Sequence, residues 1–328
     1  MAADFAACSL YKAGMQPSSH TVHTHATHAA PTLQPLQGIR ILSLALNLPG
    51  PAALLRCHRM GAQCSKLEPL ATASHSADPM HAYSPAAYAQ LHDGITLLQA
   101  NLKTEAGQAL LHQQLAQTDV LLTSFRPNAL AKLGLDWESL HTQHSQLCMV
   151  RIFGSTHPEE ADHAGHDLTY QAEAGLTDNG QLPASLFADM GGALMASEAV
   201  LQVLMARAHS SAGHCLDVGL AQAAQWLALP RQWHMTTAQG DVGGAHAGYR
   251  MYRCQDGWVA LAALEPHFAQ RTCQAIGLTD CSGSIAEMRT AAVHAAIEAF
   301  MLRHRCSQIA AMAAQSDIPL QLIADYHK

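Results

Sequence analysis

The sequence predicts an α/β fold: a doubly wound, Rossmann-like large domain followed by a smaller α+β domain. Three observations predict it. Short apolar runs alternate with helix-like segments from residue 38 to about residue 225. That strand–helix–strand order implies parallel pairing with right-handed crossovers. From about residue 226 a two-strand pattern with Gln255, Asp256 and Gly257 at its turn is followed by helical segments only.

Residues 1–35 read as a flexible tail, since segment 16–35 is rich in Ser, Thr, Pro and His and has no hydrophobic period. Its His20, His23, His25 and His28 match no defined metal spacing. GIRILSLAL (38–46) is an apolar run bounded by Gly and Pro, the mark of a buried strand. PGPAALLRCHRMGA (49–62) is a helix entered through proline and left through glycine. QCSKLEPL (63–70) is the second strand, and a loop rich in Ala, His, Ser and Pro covers 71–88. Then come a helix (104–117), a strand (118–125), a helical pair (128–143) and the strand QLCMVRIFG (146–154). The longest helix is expected over 191–208, leading to the strand CLDVGL (215–220) and a helix after it. RMYRCQDGWVALAAL (250–264) reads as a hairpin, with helices at 266–277, 284–303 and 306–315. The expected domains are therefore 36–225 and 226–328.

Bulk properties exclude several classes. With 328 residues, 49% apolar and 13% charged, the chain can bury a full core and is not a disordered polymer. A formal net charge of −7 argues against general binding to nucleic acid or to anionic membranes. The nine cysteines are dispersed with no C-x-x-C pair, so neither a disulfide framework nor a thiolate zinc site is indicated, and a cytoplasmic location fits. The amino terminus is a poor signal peptide, and the apolar segments are too short or too charged to span a bilayer. G-x-G-x-x-G, Walker A, G-x-S-x-G and H-E-x-x-H motifs are all missing.

The chemistry concentrates in residues 164–194, AGHDLTYQAEAGLTDNGQLPASLFADMGGAL. His166 and Asp189 differ in intrinsic pKa, so they can act as paired proton acceptor and donor if the fold unites them. Asp189, just before the expected 191–208 helix, reads most simply as an N-cap worth about 1 kcal/mol. Its functional reading puts the amides of Met190, Gly191 and Gly192 at a developing oxyanion with the carboxylate beside it. Glu265 in LEPHF is a carboxylate able to hold a histidine in one tautomer, or simply the start of a helix. Arg126 is an ordinary surface cation on its own evidence.

Taken in order, GIRILSLALNLPGPAALLRCHRMGAQCSKLEP, DVLLTSFRPNALAKLGLDWESL, AGHDLTYQAEAGL, FADMGGALMASEAVL and YRCQDGWVALAALEPHF resemble the family III CoA-transferases (CaiB/BaiF), nearest to their α-methylacyl-CoA racemase branch. The resemblance covers about residues 36–325, and GHD, ADMGG and LEPHF are its specific parts. It implies a large α/β domain, a small domain and an interlocked homodimer with the active site between subunits. It also implies that His166 and Asp189 are the acid/base residues and that Glu265 partners the histidine. Asp167 and Tyr170 would line the site, Arg126 and Lys132 would approach the CoA phosphates, and Lys66 counts with them as a CoA-binding position. In the transferase branch the position of Asp189 is a nucleophile.

The implied substrate is an acyl-CoA thioester; coenzyme A enters as part of that substrate, with no separate cofactor and no metal. The sequence also departs from the family pattern. EPLATASHSADPMH and DGITLLQANL lack Lys and Arg until Lys103, Thr169 replaces an asparagine, Gln171 follows the transferase pattern, and the return segment after SDIPLQLIADYHK is expected to be truncated. Three functions stand at this point: a 2-methylacyl-CoA racemase, a CoA-transferase working through an aspartyl anhydride, and a non-catalytic family member.

Overall fold

The structure, a computed structural model, describes residues 33–71, 77–177 and 180–323. The expected tail, with its four histidines, lies almost wholly outside the described residues. Six parallel strands form the main sheet: β1 (Arg40–Ser43), β2 (Gln63–Glu68), β3 (Thr96–Gln99), β4 (Val120–Thr123), β5 (Cys148–Phe153) and β6 (Cys215–Gly219). Their order is β3-β2-β1-β4-β5-β6. The winding reverses between β1 and β4, which leaves a crevice beyond the carboxyl ends of those strands.

Helices α1 (Pro49–Arg59), α2 (Pro79–Tyr83), α3 (Pro85–Leu91), α4 (Glu105–Leu115), α5 (Pro127–Lys132), α6 (Trp137–Gln143), α7 (Asp167–Glu173), α8 (Phe187–Ser210), α9 (Leu220–Leu227) and α10 (Leu229–Gln232) surround the sheet. Central strands read as continuous apolar runs because both faces are covered. On one face Ile41, Val120, Leu122 and Val150 pack on Leu54 of α1 and on Ala196 and Val200 of α8. On the other, Leu42, Leu121 and Met149 meet Leu111 of α4, Leu130 of α5 and Leu140 of α6. Gly50 allows α1 to start against the end of β1, since a Cβ there would collide with Ala45.

The hairpin is β7 (Tyr249–Arg253) and β8 (Trp258–Ala262), extended by the antiparallel β9 (Leu320–Leu322). Helices α11 (Pro266–Ala275), α12 (Ile285–Met288), α13 (Ala291–Arg303) and α14 (Cys306–Gln315) cover it. Tyr252, Val259 and Leu261 form a separate core there with Cys273, Ile297, Met301 and Ile309.

Several elements differ from expectation. The single helix read over 284–303 is two, because Thr290 breaks it and its hydroxyl accepts the Val293 N–H to start α13. The 71–88 segment read as loop contains α2 and the start of α3, each entered at proline, with Asp78 capping Met80 N at 2.9 Å. Strand β3 escaped notice because most of its residues are exposed at the sheet edge. The boundary expected at 225/226 falls inside α9, whose Ala221 and Ala224 bury against Ala188 and Tyr170. Among the described residues no helix is long and apolar enough to cross a membrane.

Candidate active site

The crevice at the strand reversal holds a cavity of about 210 Å³. Asn47 enters it from the turn after β1, and Ser124 and Arg126 from the turn after β4. His166 and Tyr170 arrive from the start of α7, and Asp189 from the first turn of α8. The fold thus brings His166 and Asp189, distant in sequence, to one cavity.

Asp189 does not cap its helix. Helix α8 begins at Phe187, four residues earlier than expected, so Asp189 sits inside the first turn. The cap comes from elsewhere: the Asp189 N–H donates to Asp167 Oδ1 at 3.0 Å. Asp167 is itself buried, and the side-chain amide of the fully buried Gln171 donates to its Oδ2 at 2.5 Å and to the Ser185 carbonyl at 3.1 Å. Burial, and then the negative charge of Asp167, push the Asp189 carboxyl up to about 7. A carboxyl poised there exchanges a proton readily near neutral pH.

His166 is the residue before α7; its N–H donates to Thr169 Oγ1 at 3.1 Å, leaving the exposed ring beside the cavity. Tyr170 is buried one turn on, and its phenol occupies space that a Cβ at Gly154 or Gly165 would need. Gly165, beside His166, is therefore a packing requirement of Tyr170. Burial first, then the Asp189 charge, raise the Tyr170 phenol's pKa, so it stays a neutral donor.

Two expectations about the site are corrected, the amide donors beside Asp189 and the role of Lys66. The earlier start of α8 means the Met190 N–H already donates to the Leu186 carbonyl at 2.9 Å. Gly191 and Gly192 lie further into the helix, where amides close the helix's own bonds; both are buried and pack on Leu227 and Leu220 of α9. None of the three offers an oxyanion donor. Glu265 is exposed at the N-cap of α11 and does not line the cavity of its own chain. Lys132, in the last turn of α5, is exposed and also off the cavity wall.

Lys66 departs furthest. Its side chain is 0% exposed, with the ammonium 2.5 Å from Asp78 Oδ2, 2.8 Å from Glu68 Oε1 and 3.0 Å from His92 Nε2. It neutralises two buried carboxylates inside the protein and faces no ligand phosphate. Glu68, Asp78 and His92 have the mutual spacing of metal ligands, but this ammonium lies among them.

Sequence reasoning missed Asn47, Ser124 and Asp78. Ser124 Oγ accepts the Leu46 N–H at 3.1 Å, and Asp78 Oδ1 accepts the Asn47 N–H at 3.1 Å. The available signal was positional: Asn47 and Ser124 each stand just beyond a strand on either side of the winding reversal.

Fold and cavity together define an α/β protein that holds an imidazole and a mostly buried carboxyl at a strand-reversal crevice. The chain belongs to CoA-transferase family III, whose family model matches residues 36–328. It is 29% identical over 272 residues to the succinyl-CoA–D-citramalate CoA-transferase of Chloroflexus aurantiacus, a match covering 74% of this chain and 65% of that protein. It is 27% identical over 260 residues to the α-methylacyl-CoA racemase of Mus musculus, with 74% and 65% covered. The chain thus spans just under two thirds of the length of these relatives. The crystal structure of Rv3272 from M. tuberculosis superposes with a TM-score of 0.78 at 22% identity, covering 90% of this chain and 84% of that one, a likeness of fold.

Proposed function

We propose that the protein is an acyl-CoA racemase or epimerase that removes and returns the α-proton of a 2-methylacyl-CoA thioester. One observation carries this reading: a carboxyl held at about 7 shares a cavity with a histidine. Neutral His166 takes the α-proton from one face while protonated Asp189 gives its proton to the other. The products are an inverted centre, an imidazolium and a carboxylate, and the reverse reaction restores the starting pair. In the interval the thioester oxygen carries enolate charge. The Ser124 hydroxyl oxygen accepts a backbone N–H, leaving its hydrogen to donate, and the Arg126 cation lies on the same wall.

The reading includes a homodimer. His166 has no carboxylate partner among the described residues of its own chain, and Glu265 is exposed elsewhere. Glu265 of the partner subunit would then orient the imidazole, as the family resemblance implies. The substrate is the acyl-CoA thioester alone, without a further cofactor, in the cytoplasm.

CoA transfer is the second reading. In it Asp189 attacks the thioester carbonyl, CoA thiolate leaves, and a mixed anhydride forms. The buried Gln171–Asp167 brace on Asp189 favours it, as does the naming of a transferase among the relatives. A carboxyl protonated near neutral pH is the weaker nucleophile, which ranks this reading second.

The test is incubation with a 2-methylacyl-CoA in heavy water, with and without an acceptor acid, followed by mass spectrometry. The racemase reading expects α-deuteration that needs no acceptor and is lost in His166→Ala and Asp189→Asn. Acceptor-dependent movement of CoA, with no deuteration, would replace it by the transferase reading.

A further inference from the structure

Asn47 lines the cavity, and neither acid/base chemistry nor charge neutralisation uses it. Its backbone adopts φ 63°, the left-handed region that asparagine tolerates best among residues with a side chain. The turn holding it is fully tied down: the N–H groups of Ala45, Leu46 and Asn47 donate to Ser43 Oγ, Ser124 Oγ and Asp78 Oδ1, each at 3.1 Å. Asp78 is in turn fixed by Lys66, and both side chains are 0% exposed. A buried ion pair thus holds a left-handed turn that places Asn47 on the cavity wall, where among the described residues its carboxamide makes no hydrogen bond.

The cavity's character narrows what that amide meets. The space around it, about 210 Å³, accommodates a short acyl group. Its wall carries Ser124, Arg126 and His163 besides the acid/base pair, which suits a substituent that forms hydrogen bonds better than a plain alkyl one. An immobilised carboxamide offers both a donor and an acceptor.

We infer that Asn47 is a specificity-determining residue, selecting short 2-methyl-branched acyl-CoA thioesters whose acyl group also bears a hydroxyl or carboxyl. This rests on the acyl-CoA reading above and names its substrate class. A site built around such a contact rejects the analogue that lacks it, because the polar group is left unpaired.

Three thioesters differing at one acyl group test it: isobutyryl-CoA, 3-hydroxyisobutyryl-CoA and methylmalonyl-CoA, titrated calorimetrically into the full chain. The wild type is expected to bind the two polar esters at least about tenfold more tightly than isobutyryl-CoA, the factor of one hydrogen bond. Asn47→Gly, which keeps the left-handed turn without strain, should reduce that preference about tenfold. Asn47→Asp, which retains an acceptor but adds negative charge, should keep the preference for the hydroxyl ester and lose that for methylmalonyl-CoA. A wild type without polar preference overturns the inference, as does Asn47→Gly weakening all three esters equally, which would put the amide on the shared CoA moiety. If no thioester binds the wild type, the acyl-CoA reading falls as well; binding without discrimination sinks this inference alone.

Discussion

The backbone N–H of Asp189 donates to the carboxylate of Asp167 at 3.0 Å, so the residue that fixes Asp189 in place also charges its surroundings. One contact does both jobs. It satisfies an orphan amide in the first turn of α8, and it sets a negative charge beside a second, mostly buried carboxyl. In Asp167→Asn the side-chain oxygen can still accept the amide, while the charge is gone. Because burial is the larger cause of the shift, the Asp189 pKa should fall below about 7 without reaching the usual carboxylate range. The pH dependence of α-deuteration reads this directly; an unmoved profile would show that Asp167 acts on structure alone.

Asp189 should also impose a pH dependence on stability. Its carboxyl ionises at about 7 in the folded protein against 3.8 ordinarily, so between those values the folded state binds more protons than the unfolded. Stability therefore falls as pH rises through that window. Asp189→Asn removes the cost. Urea denaturation should find the variant more stable by about 4 kcal/mol at pH 8, with the difference nearly gone by pH 4.

Lys66 should be a stability residue. Lys66→Met leaves Glu68 and Asp78 as buried carboxylates without their cation, a loss of about 3–5 kcal/mol in urea denaturation. Were Lys66 instead a CoA-phosphate ligand, the variant would keep its stability and lose CoA affinity.

Gly165→Ala should disturb the site without touching a titrating group. The added methyl would overlap the Tyr170 phenol, which must then shift. Overpacking of this kind costs about 1–3 kcal/mol. Thermal denaturation should register that loss, and α-deuteration should fall with it because Tyr170 and His166 share the cavity wall.

Much of the fold was legible because its signal is local. The strands at 40–43, 120–123 and 148–153 are apolar runs buried on both faces, and α1 is entered through prolines that fix its start. Strand β3 was not legible: at the sheet edge its residues are mostly exposed, and only pairing with β2 makes them a strand. The start of α8 was misplaced because Gly191 and Gly192 look like a helix entrance, whereas they serve close contact with α9.

The sequence by itself determined the α/β class, the family motifs, and His166 and Asp189 as the residues to watch. The class follows from hydrophobic period, which neighbours along the chain carry; the motifs and the two residues stand out through the resemblance of their segments to the family. Only the tertiary structure decided that Lys66 is buried against Asp78, that Asp167 and not Asp189 caps α8, and that Asn47 stands on the cavity wall. Such outcomes depend on which groups meet across 12, 22 or 31 residues of chain, and burial sets their charge only after they meet.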